Sequence, residues 1–154
     1  MKIRLATADD VPELVKLFNM FVESSPLVKE FGEPDEKGVV WCMSQLTIGP
    51  SFAVVVELPE APGTLVGIIA VELYEMAMFT RLFARDLFVY VHPSYRGLWL
   101  GKFLERAFSE ARERGCRSFF FHAVGAPPEN NLRNGEMMVR LGCRELGPVL
   151  IKDL

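Results

Sequence analysis

The chain has 154 residues, half of them hydrophobic and 24% charged, a composition typical of one globular domain with a substantial core. Its formal net charge of −3 argues against bulk binding of nucleic acid, and no apolar run approaches the ~20 residues that span a bilayer. Three widely spaced cysteines indicate neither a disulfide framework nor a Cys-x-x-Cys metal site. We therefore expect a single cytoplasmic domain over residues 1–154, without a metal or a membrane segment.

Hydrophobic periodicity and turn residues predict ten elements along the chain. Strands are expected at 2–6, 52–57, 65–75, 82–91, 117–123 and 149–152, and helices at 11–23, 35–46, 100–111 and 131–141. Thr7 and Asp10 have the spacing of a helix start, and Gly142 has the position of a helix C-cap. The order β-α-α-β-β-β-α-β-α-β predicts a mixed sheet with helices packed on it.

The most informative stretch is 89–102, where an apolar strand leads into a turn containing Gly97 and Gly101 and then directly into a helix. Such a turn presents free backbone N–H groups and the positive end of a helix dipole, which favours a phosphate or pyrophosphate. A purely structural turn is the alternative, because glycine is common where a strand gives way to a helix.

Local charge favours the anion site. Six basic residues stand against three acidic ones between Tyr95 and Arg117, although the whole chain is net negative. The six are Arg96, Lys102, Arg106, Arg112, Arg114 and Arg117. This reversal supports an anionic ligand without proving one, since exposed helix faces are commonly charged.

The segment 27–37 has the opposite character, because Glu30, Glu33, Asp35 and Glu36 make it acidic. A solvated loop leading into a helix is the simpler interpretation. The functional alternative is an acidic wall, that is, a negatively charged surface that attracts a cationic acceptor.

The element order and the segment 91–101 (VHPSYRGLWLG) resemble the GCN5-related N-acetyltransferase (GNAT) superfamily. Two further segments are similar to that family's pattern: 7–10 before the first helix, and Asn131 followed by 138–143 (MVRLGC). The resemblance covers nearly the whole chain. It implies an α+β, three-layer fold of the acyl-CoA N-acyltransferase type, with a mixed, mostly antiparallel central sheet and helices on both faces.

The resemblance also implies that acetyl-CoA is the cosubstrate. The family's turn that wraps the pyrophosphate corresponds here to Arg96, Gly97, Leu98, Trp99, Leu100 and Gly101, extended by Lys102. The preceding strand, with Phe88, Val89, Tyr90 and Val91, would pair with the pantetheine arm, and Asn131 would belong to the same cofactor site. The acyl group would then lie where this strand separates from the one at 119–123.

The sequence departs from the family pattern at two positions. Trp99 stands where the motif usually has its middle glycine, so its indole either points away from the turn or covers it. Met138 stands where the family often has a tyrosine that protonates the departing thiolate, and methionine has no proton to give.

Attack of an amine on a thioester needs a base, and the two central strands offer Glu72, Glu75 and Asp86. Asp86 is expected to share a strand face with Phe88 and Tyr90, because alternate residues of a strand point the same way. The alternative for Asp86 is a structural salt bridge to a neighbouring arginine, Arg85 or Arg81.

Further candidate proton donors and acceptors are Tyr90, Tyr95 and His122. Tyr90 is a candidate donor to the thiolate, although strand tyrosines usually serve packing. His122 is a candidate proton shuttle near the strand separation, with a structural histidine as the alternative. His92, next to Pro93, is expected to serve the turn.

Three functional hypotheses follow from the sequence. The first is an acetyl-CoA-dependent N-acetyltransferase that transfers directly to a small-molecule or peptide amine, such as a polyamine, an aminoglycoside, a lysine or an N-terminus. The second is a catalytically degenerate protein of the same fold that binds CoA or a protein partner. The third, a nucleotide-binding transferase, is disfavoured because no Walker or Gly-x-Gly-x-x-Gly motif is present. A homodimer through an edge strand is a further hypothesis.

Overall fold

The computed structural model of the chain describes residues 1–25, 32–75, 80–97, 99–121 and 136–144. The strands are β1 (Lys2–Leu5), β2 (Phe52–Glu57), β3 (Leu65–Glu75), β4 (Leu82–Val91) and β5 (Ser118–Phe120). The helices are α1 (Val11–Ser24), α2 (Glu36–Ile48) and α3 (Leu100–Glu113), and residues 136–140 are also helical. Strands β2, β3 and β4 have the predicted bounds, while β5 is shorter than predicted.

The described strands form one mixed sheet in the order β1-β2-β3-β4-β5. Neighbours are antiparallel except β4 and β5, which are parallel. Helices α1 and α2 cover one face and α3 covers the other. All six residues of β2 are buried, which explains its continuous apolar run because both of its faces lie under helices. The α+β architecture with helices on both faces is confirmed.

Strand β4 contains a β-bulge at Leu87. Ala70 of β3 lies opposite Phe88, whereas the next residue, Val71, lies opposite Asp86. The extra residue reverses the alternation of side chains along β4. Asp86 therefore faces α3 together with Val71, while Phe88 packs on the α1–α2 side.

The expectation that Asp86 shares a face with Phe88 and Tyr90 was thus wrong. It assumed an uninterrupted strand, and a single inserted residue moves every later side chain to the opposite face.

Strands β4 and β5 pair over only three positions, from Phe83 opposite Ser118 to Arg85 opposite Phe120. Beyond Arg85, β4 continues for six residues to Val91 without a partner on that side among the described residues. The bulge and the end of pairing fall together in the middle of the sheet. Within the described structure, the backbone groups on this side of β4 therefore form an open edge, without a paired strand, from the bulge to the start of α3.

The ends of the helices follow from local sequence. The carboxylate of Asp35 accepts a hydrogen bond from the N–H of Gly38 (2.7 Å) and so caps α2. Gly115, with a φ of +87°, ends α3, where the N–H groups of Gly115 and Cys116 donate to the carbonyls of Arg112 and Ala111. Gly142 ends the helical segment 136–140 with the same pattern of bonds, so its predicted C-cap role is confirmed. No helix in the described part of the chain is long and apolar enough to cross a bilayer.

Candidate active site

The turn between β4 and α3 is held by its own side chains. Nδ1 of His92 accepts from the N–H of Ser94 (3.3 Å), and Nε of Arg96 donates to the carbonyl of Val91 (3.1 Å). Arg96 is exposed, so its remaining guanidinium N–H groups face solvent next to the turn. The structural role expected for His92 is confirmed.

Several backbone N–H groups of this turn have no acceptor among the described residues. Leu100 donates to the carbonyl of Gly97 (3.2 Å), whereas Gly97, Trp99 and Gly101 donate to nothing in the described part of the chain. They lie at the N-terminus of a 14-residue helix, where the dipole adds positive potential.

The charges around this helix start are unfavourable for the protein alone. The first turn of α3 contains no acidic residue, and it carries the exposed cation Lys102, while the turn before the helix carries the exposed cation Arg96. By contrast, α1 and α2 each begin with an acidic residue in the first turn, Glu13 and Glu36. Because a cation at the positive end of a helix is destabilising, the N-terminus of α3 is suited to an anion from outside the chain.

Trp99 adopts a helical backbone conformation with φ −76° and ψ −9°. Its indole Nε1 donates to the carbonyl of Tyr95 (2.9 Å), and its ring packs on Phe103 with 5.7 Å between centroids. The ring therefore contributes to the core cluster on the α3 side. The ring also lies against the turn, because a Cβ on Gly97 would stand 3.5 Å from its Cδ1. The indole of Trp99 therefore packs on the core and also flanks the turn at Gly97.

The side chains of β4 beyond the bulge point alternately to the two faces of the sheet. Phe88 packs against Phe18 and Phe21 of α1, with ring centroids 5.3 and 5.1 Å apart. Tyr90 lies on the same side, whereas Val89 and Val91 pack in the cluster under α3. The side chains of Phe88, Val89, Tyr90 and Val91 are thus packed against the helices. A ligand along the edge of β4 would mainly meet the backbone groups of these residues.

Tyr90 is 7% exposed. Burial raises the pKa of its hydroxyl, the nearby Arg96 opposes this, and the charge of Glu23 raises the pKa further. The net shift is upward, so the phenol keeps its proton at neutral pH.

The candidate carboxylates have different surroundings. Glu72 accepts a hydrogen bond from Nε of Arg85 (2.5 Å), and Arg85 also lies over the ring of Tyr74 at 5.2 Å. Arg85 thus pairs with Glu72 and not with Asp86, contrary to one of the sequence alternatives. Asp86 is buried, with 6% of its surface exposed, at the point where the pairing with β5 has just ended.

Met138 is 5% exposed and belongs to the core cluster on the α3 side. It fills space between the sheet and the helical segment 136–140. A proton for a departing thiolate therefore has to come from another group.

The six basic residues between Tyr95 and Arg117 fall into three groups in the structure. Arg96 and Lys102 lie at the turn, and Arg106 and Arg114 are paired with Glu110 (both 2.8 Å). Arg112 lies in the last turn of α3, and Arg117 lies beyond that end of the helix. Of the six charges that favoured an anion site in the sequence, only Arg96 and Lys102 lie at the turn, because charge along a 14-residue helix is spread over about 20 Å.

Several predicted features lie outside the described residues. They are Leu98, His122, Asn131, Glu30, the last two residues of the strand predicted at 117–123, the first half of the helix predicted at 131–141 and the strand predicted at 149–152.

The sequence profile of the Acetyltransferase (GNAT) family matches residues 14–135. The chain belongs to the GNAT acetyltransferase family. The match includes the turn at 96–101, the bulged strand β4 and the start of β5. Acetyl-CoA is the acetyl donor that the family generally uses. No curated protein matches the sequence at a significant level.

Solved GNAT-like structures superpose on nearly the whole chain. An aminoglycoside acetyltransferase from an uncultured soil metagenomic sample has a TM-score of 0.74 at 16% identity, covering 99% of this chain and 95% of that chain. A ribosomal-protein-alanine N-acetyltransferase from Brucella melitensis biovar Abortus has a TM-score of 0.67 at 16% identity, covering 100% of both chains. A transcriptional regulator from Bacillus halodurans has a TM-score of 0.72 at 16% identity, covering 99% of both chains. At such identities the likeness shows the fold alone.

Proposed function

We propose that this GNAT chain transfers an acetyl group from acetyl-CoA directly to a primary amine, without an acetylated protein intermediate. The observation that carries the proposal is the start of α3, where the N–H groups of Gly97, Trp99 and Gly101 have no acceptor in the described part of the chain. Two cations, Arg96 and Lys102, and no acidic residue lie in this turn and the first turn of the helix. These donors fit a pyrophosphate, because backbone amides at a helix N-terminus bind such oxyanions. The thioester supplies the activated acetyl group.

The open edge of β4 fits the rest of an extended acyl-CoA ligand. Between the bulge at Leu87 and Val91, backbone groups on this edge have no β5 partner in the described residues. A pantetheine arm carries amides that can pair with such an edge as an added strand would. This path ends at the bulge, so we place the acetyl group beside Asp86.

We assign the base to Asp86 in preference to Glu72. The base must take a proton from the acceptor ammonium, which then attacks as the neutral amine. Asp86 is buried and lies at the bulge, where the path proposed for the pantetheine arm ends. Tyr90, which remains protonated at neutral pH, is our candidate for protonating the thiolate.

For the acceptor we propose a cationic amine. A cavity of about 320 Å³ between α1 and α2 is lined by Val15, Asn19, Val22, Glu23, Pro34, Glu36 and Val39. Two of these are carboxylates, and the charge of Glu23 reaches the hydroxyl of Tyr90 on β4. Asp35, which the sequence suggested as part of an acidic wall, serves as the cap of α2.

The first experiment is calorimetric titration of acetyl-CoA into the purified protein and into Trp99→Gly. We expect wild type to bind with a Kd in about the micromolar range, because the N–H groups of Gly97, Trp99 and Gly101 donate to nothing in the described part of the chain. Absence of binding to wild type, with binding restored in Trp99→Gly, would show that the indole closes the site and would favour the degenerate, partner-binding hypothesis.

Turnover is then measured with polyamines, aminoglycosides and lysine peptides as acceptors. We expect Asp86→Asn to lower kcat by about 10²- to 10⁴-fold, the usual contribution of a general base, with little change in acetyl-CoA affinity. Glu72→Gln is the matched control and should keep kcat within a few-fold. Equal losses in the two variants would reject Asp86 as the base.

The acceptor proposal is tested separately with Glu23→Gln/Glu36→Gln. We expect a higher acceptor KM and an unchanged KM for acetyl-CoA. The control is Glu105→Gln, which removes an exposed carboxylate from α3. An unchanged acceptor KM would remove the cavity between α1 and α2 from the site.

A further inference from the structure

A second group of basic side chains lies at the opposite end of α3, around a cavity of about 460 Å³. Arg81 precedes β4, Arg112 belongs to the last turn of α3, and Arg117 precedes β5. The backbone holds these segments together, because the N–H of Arg117 donates to the carbonyl of Leu82 (2.9 Å). Three separate parts of the chain thus bring one guanidinium each to the same depression.

Within the described residues none of these three arginines forms an ion pair, and all three are exposed. This sets them apart from four other arginines of the described chain, each of which contacts a carboxylate: Arg4, Arg85, Arg106 and Arg114. The α3 dipole accounts for Arg112 alone, since it stabilises a cation only within the last turn of a helix. Arg81 and Arg117 have neither a helix dipole nor, among the described residues, a counter-ion to stabilise their charge.

We propose that this cavity is a second anion site, which binds a compact, multiply charged oxyanion of the phosphate or pyrophosphate type. Guanidinium groups recognise phosphate oxygens through paired N–H donors, and several of them around one depression favour a ligand with more than one negative charge. The cavity volume lies within the range of small-molecule sites.

The cavity is separate from the acetyl-CoA site proposed above. About 18 Å of helix axis separates Leu100 from Arg112. The inference therefore does not depend on the proposed acetyl transfer.

Cys116 borders the cavity and provides a local readout. The probe is inorganic pyrophosphate, and the measurement is the rate at which iodoacetamide, a neutral reagent, alkylates Cys116, followed by mass spectrometry. A bound anion covers the thiol and disfavours its thiolate, so we expect pyrophosphate to slow alkylation of Cys116 at least about fivefold at saturation. Cys42 and Cys143 are internal controls whose rates should not change.

Two double variants are compared, and each removes two exposed arginines that form no ion pair with the described residues. Arg112→Gln/Arg117→Gln should raise at least about tenfold the pyrophosphate concentration that half-protects Cys116 from alkylation. The control Arg140→Gln/Arg144→Gln removes the same charge elsewhere and should leave protection unchanged. Acetyl-CoA titration should give the same Kd in both double variants as in wild type.

Two results would overturn the proposal. One is a Cys116 rate that does not respond to pyrophosphate in wild type. The other is protection that persists in Arg112→Gln/Arg117→Gln. A glutamate-rich peptide is tested as a second probe. Protection of Cys116 by the peptide but not by pyrophosphate would overturn the small-oxyanion site and would indicate a surface that binds acidic proteins.

Discussion

Arg4 and Arg117 lie near opposite edges of the described sheet, and their surroundings differ completely. Arg4, on β1, donates to both carboxylate oxygens of Asp10 (2.6 and 2.9 Å) and to Glu57 (2.7 Å). Arg117, just before β5, is exposed and makes no side-chain ion pair in the described structure.

This contrast separates charges that build the fold from charges that remain available to a ligand. Asp10 and Glu57 are both 6% exposed, and buried carboxylates require a counter-charge that only Arg4 and its neighbours supply. An exposed guanidinium has no such obligation and keeps its donors for solvent or an anion. Substituting each group should therefore affect different properties, stability in one case and binding in the other.

The largest effect is expected for Arg4→Met. Methionine keeps much of the volume but leaves the carboxylate of Asp10 buried without its partner, a change that typically destabilises by 3–5 kcal/mol. Because the Arg4 side chain is 23% exposed, we expect about 3 kcal/mol, measured by urea denaturation. Arg140→Met, at an exposed and unpaired position, should change the free energy of unfolding by less than about 0.5 kcal/mol.

The same network predicts a pH dependence of stability. Hydrogen bonds from Arg4 and from the N–H of Gly63 hold the pKa of Glu57 at about 2, below its ordinary value of 4.5. Burial works to raise the pKa of Asp10, but the bonds from Arg4 and Thr7 outweigh it and lower that pKa.

Both carboxylates bind protons more readily in the unfolded chain. Their contribution is therefore complete above the unfolded pKa and is lost as pH falls from about 4.5 toward about 2. We expect the free energy of unfolding, measured from pH 6 to pH 2, to fall in this window for wild type and to be much flatter for Arg4→Met. Parallel curves for the two proteins would contradict this assignment.

Arg114 is an intermediate case, because it is paired but lies at the edge of the core. It donates to Glu110 (2.8 Å) and to the carbonyl of Pro50 (2.7 Å), and it lies over the ring of Phe52 at 4.7 Å. We expect Arg114→Gln to destabilise by about 1–2 kcal/mol in thermal unfolding. Arg106→Gln removes one bond to the same carboxylate and should cost less; the reverse order would show that the contacts to Pro50 and Phe52 contribute nothing.

Much of the fold was predictable because its signals are local. Strands β2, β3 and β4 are apolar runs bounded by glycine and proline turns, and α3 has an apolar stripe with a 3.6-residue period. The family resemblance then supplied the arrangement, including the separation of β4 from β5. The helix start at 97–101 was recognisable for the same reason, since its glycines and basic residues are adjacent in sequence.

The unpredicted features depend on pairing across the sheet. One inserted residue at Leu87 moved Asp86 to the α3 face, and period-two alternation carries no signal for such an insertion. The choice of Glu72 as the partner of Arg85 follows from the register of β3 against β4. Likewise, Arg81 joins Arg112 and Arg117 only because β4 and β5 begin side by side.

The smallest effect on stability is expected for Arg112→Gln/Arg117→Gln. No ion pair is lost, and relief of repulsion among three guanidinium groups offsets the lost interaction of Arg112 with the end of α3. The free energy of unfolding should stay within about 0.5 kcal/mol of wild type in low salt, and added salt should narrow even that difference. Pyrophosphate should raise the melting temperature of wild type more than that of the double variant, which keeps only the donors at the start of α3, since a ligand stabilises only the state that binds it. A double variant destabilised as strongly as Arg114→Gln would place these arginines with the charges that build the fold.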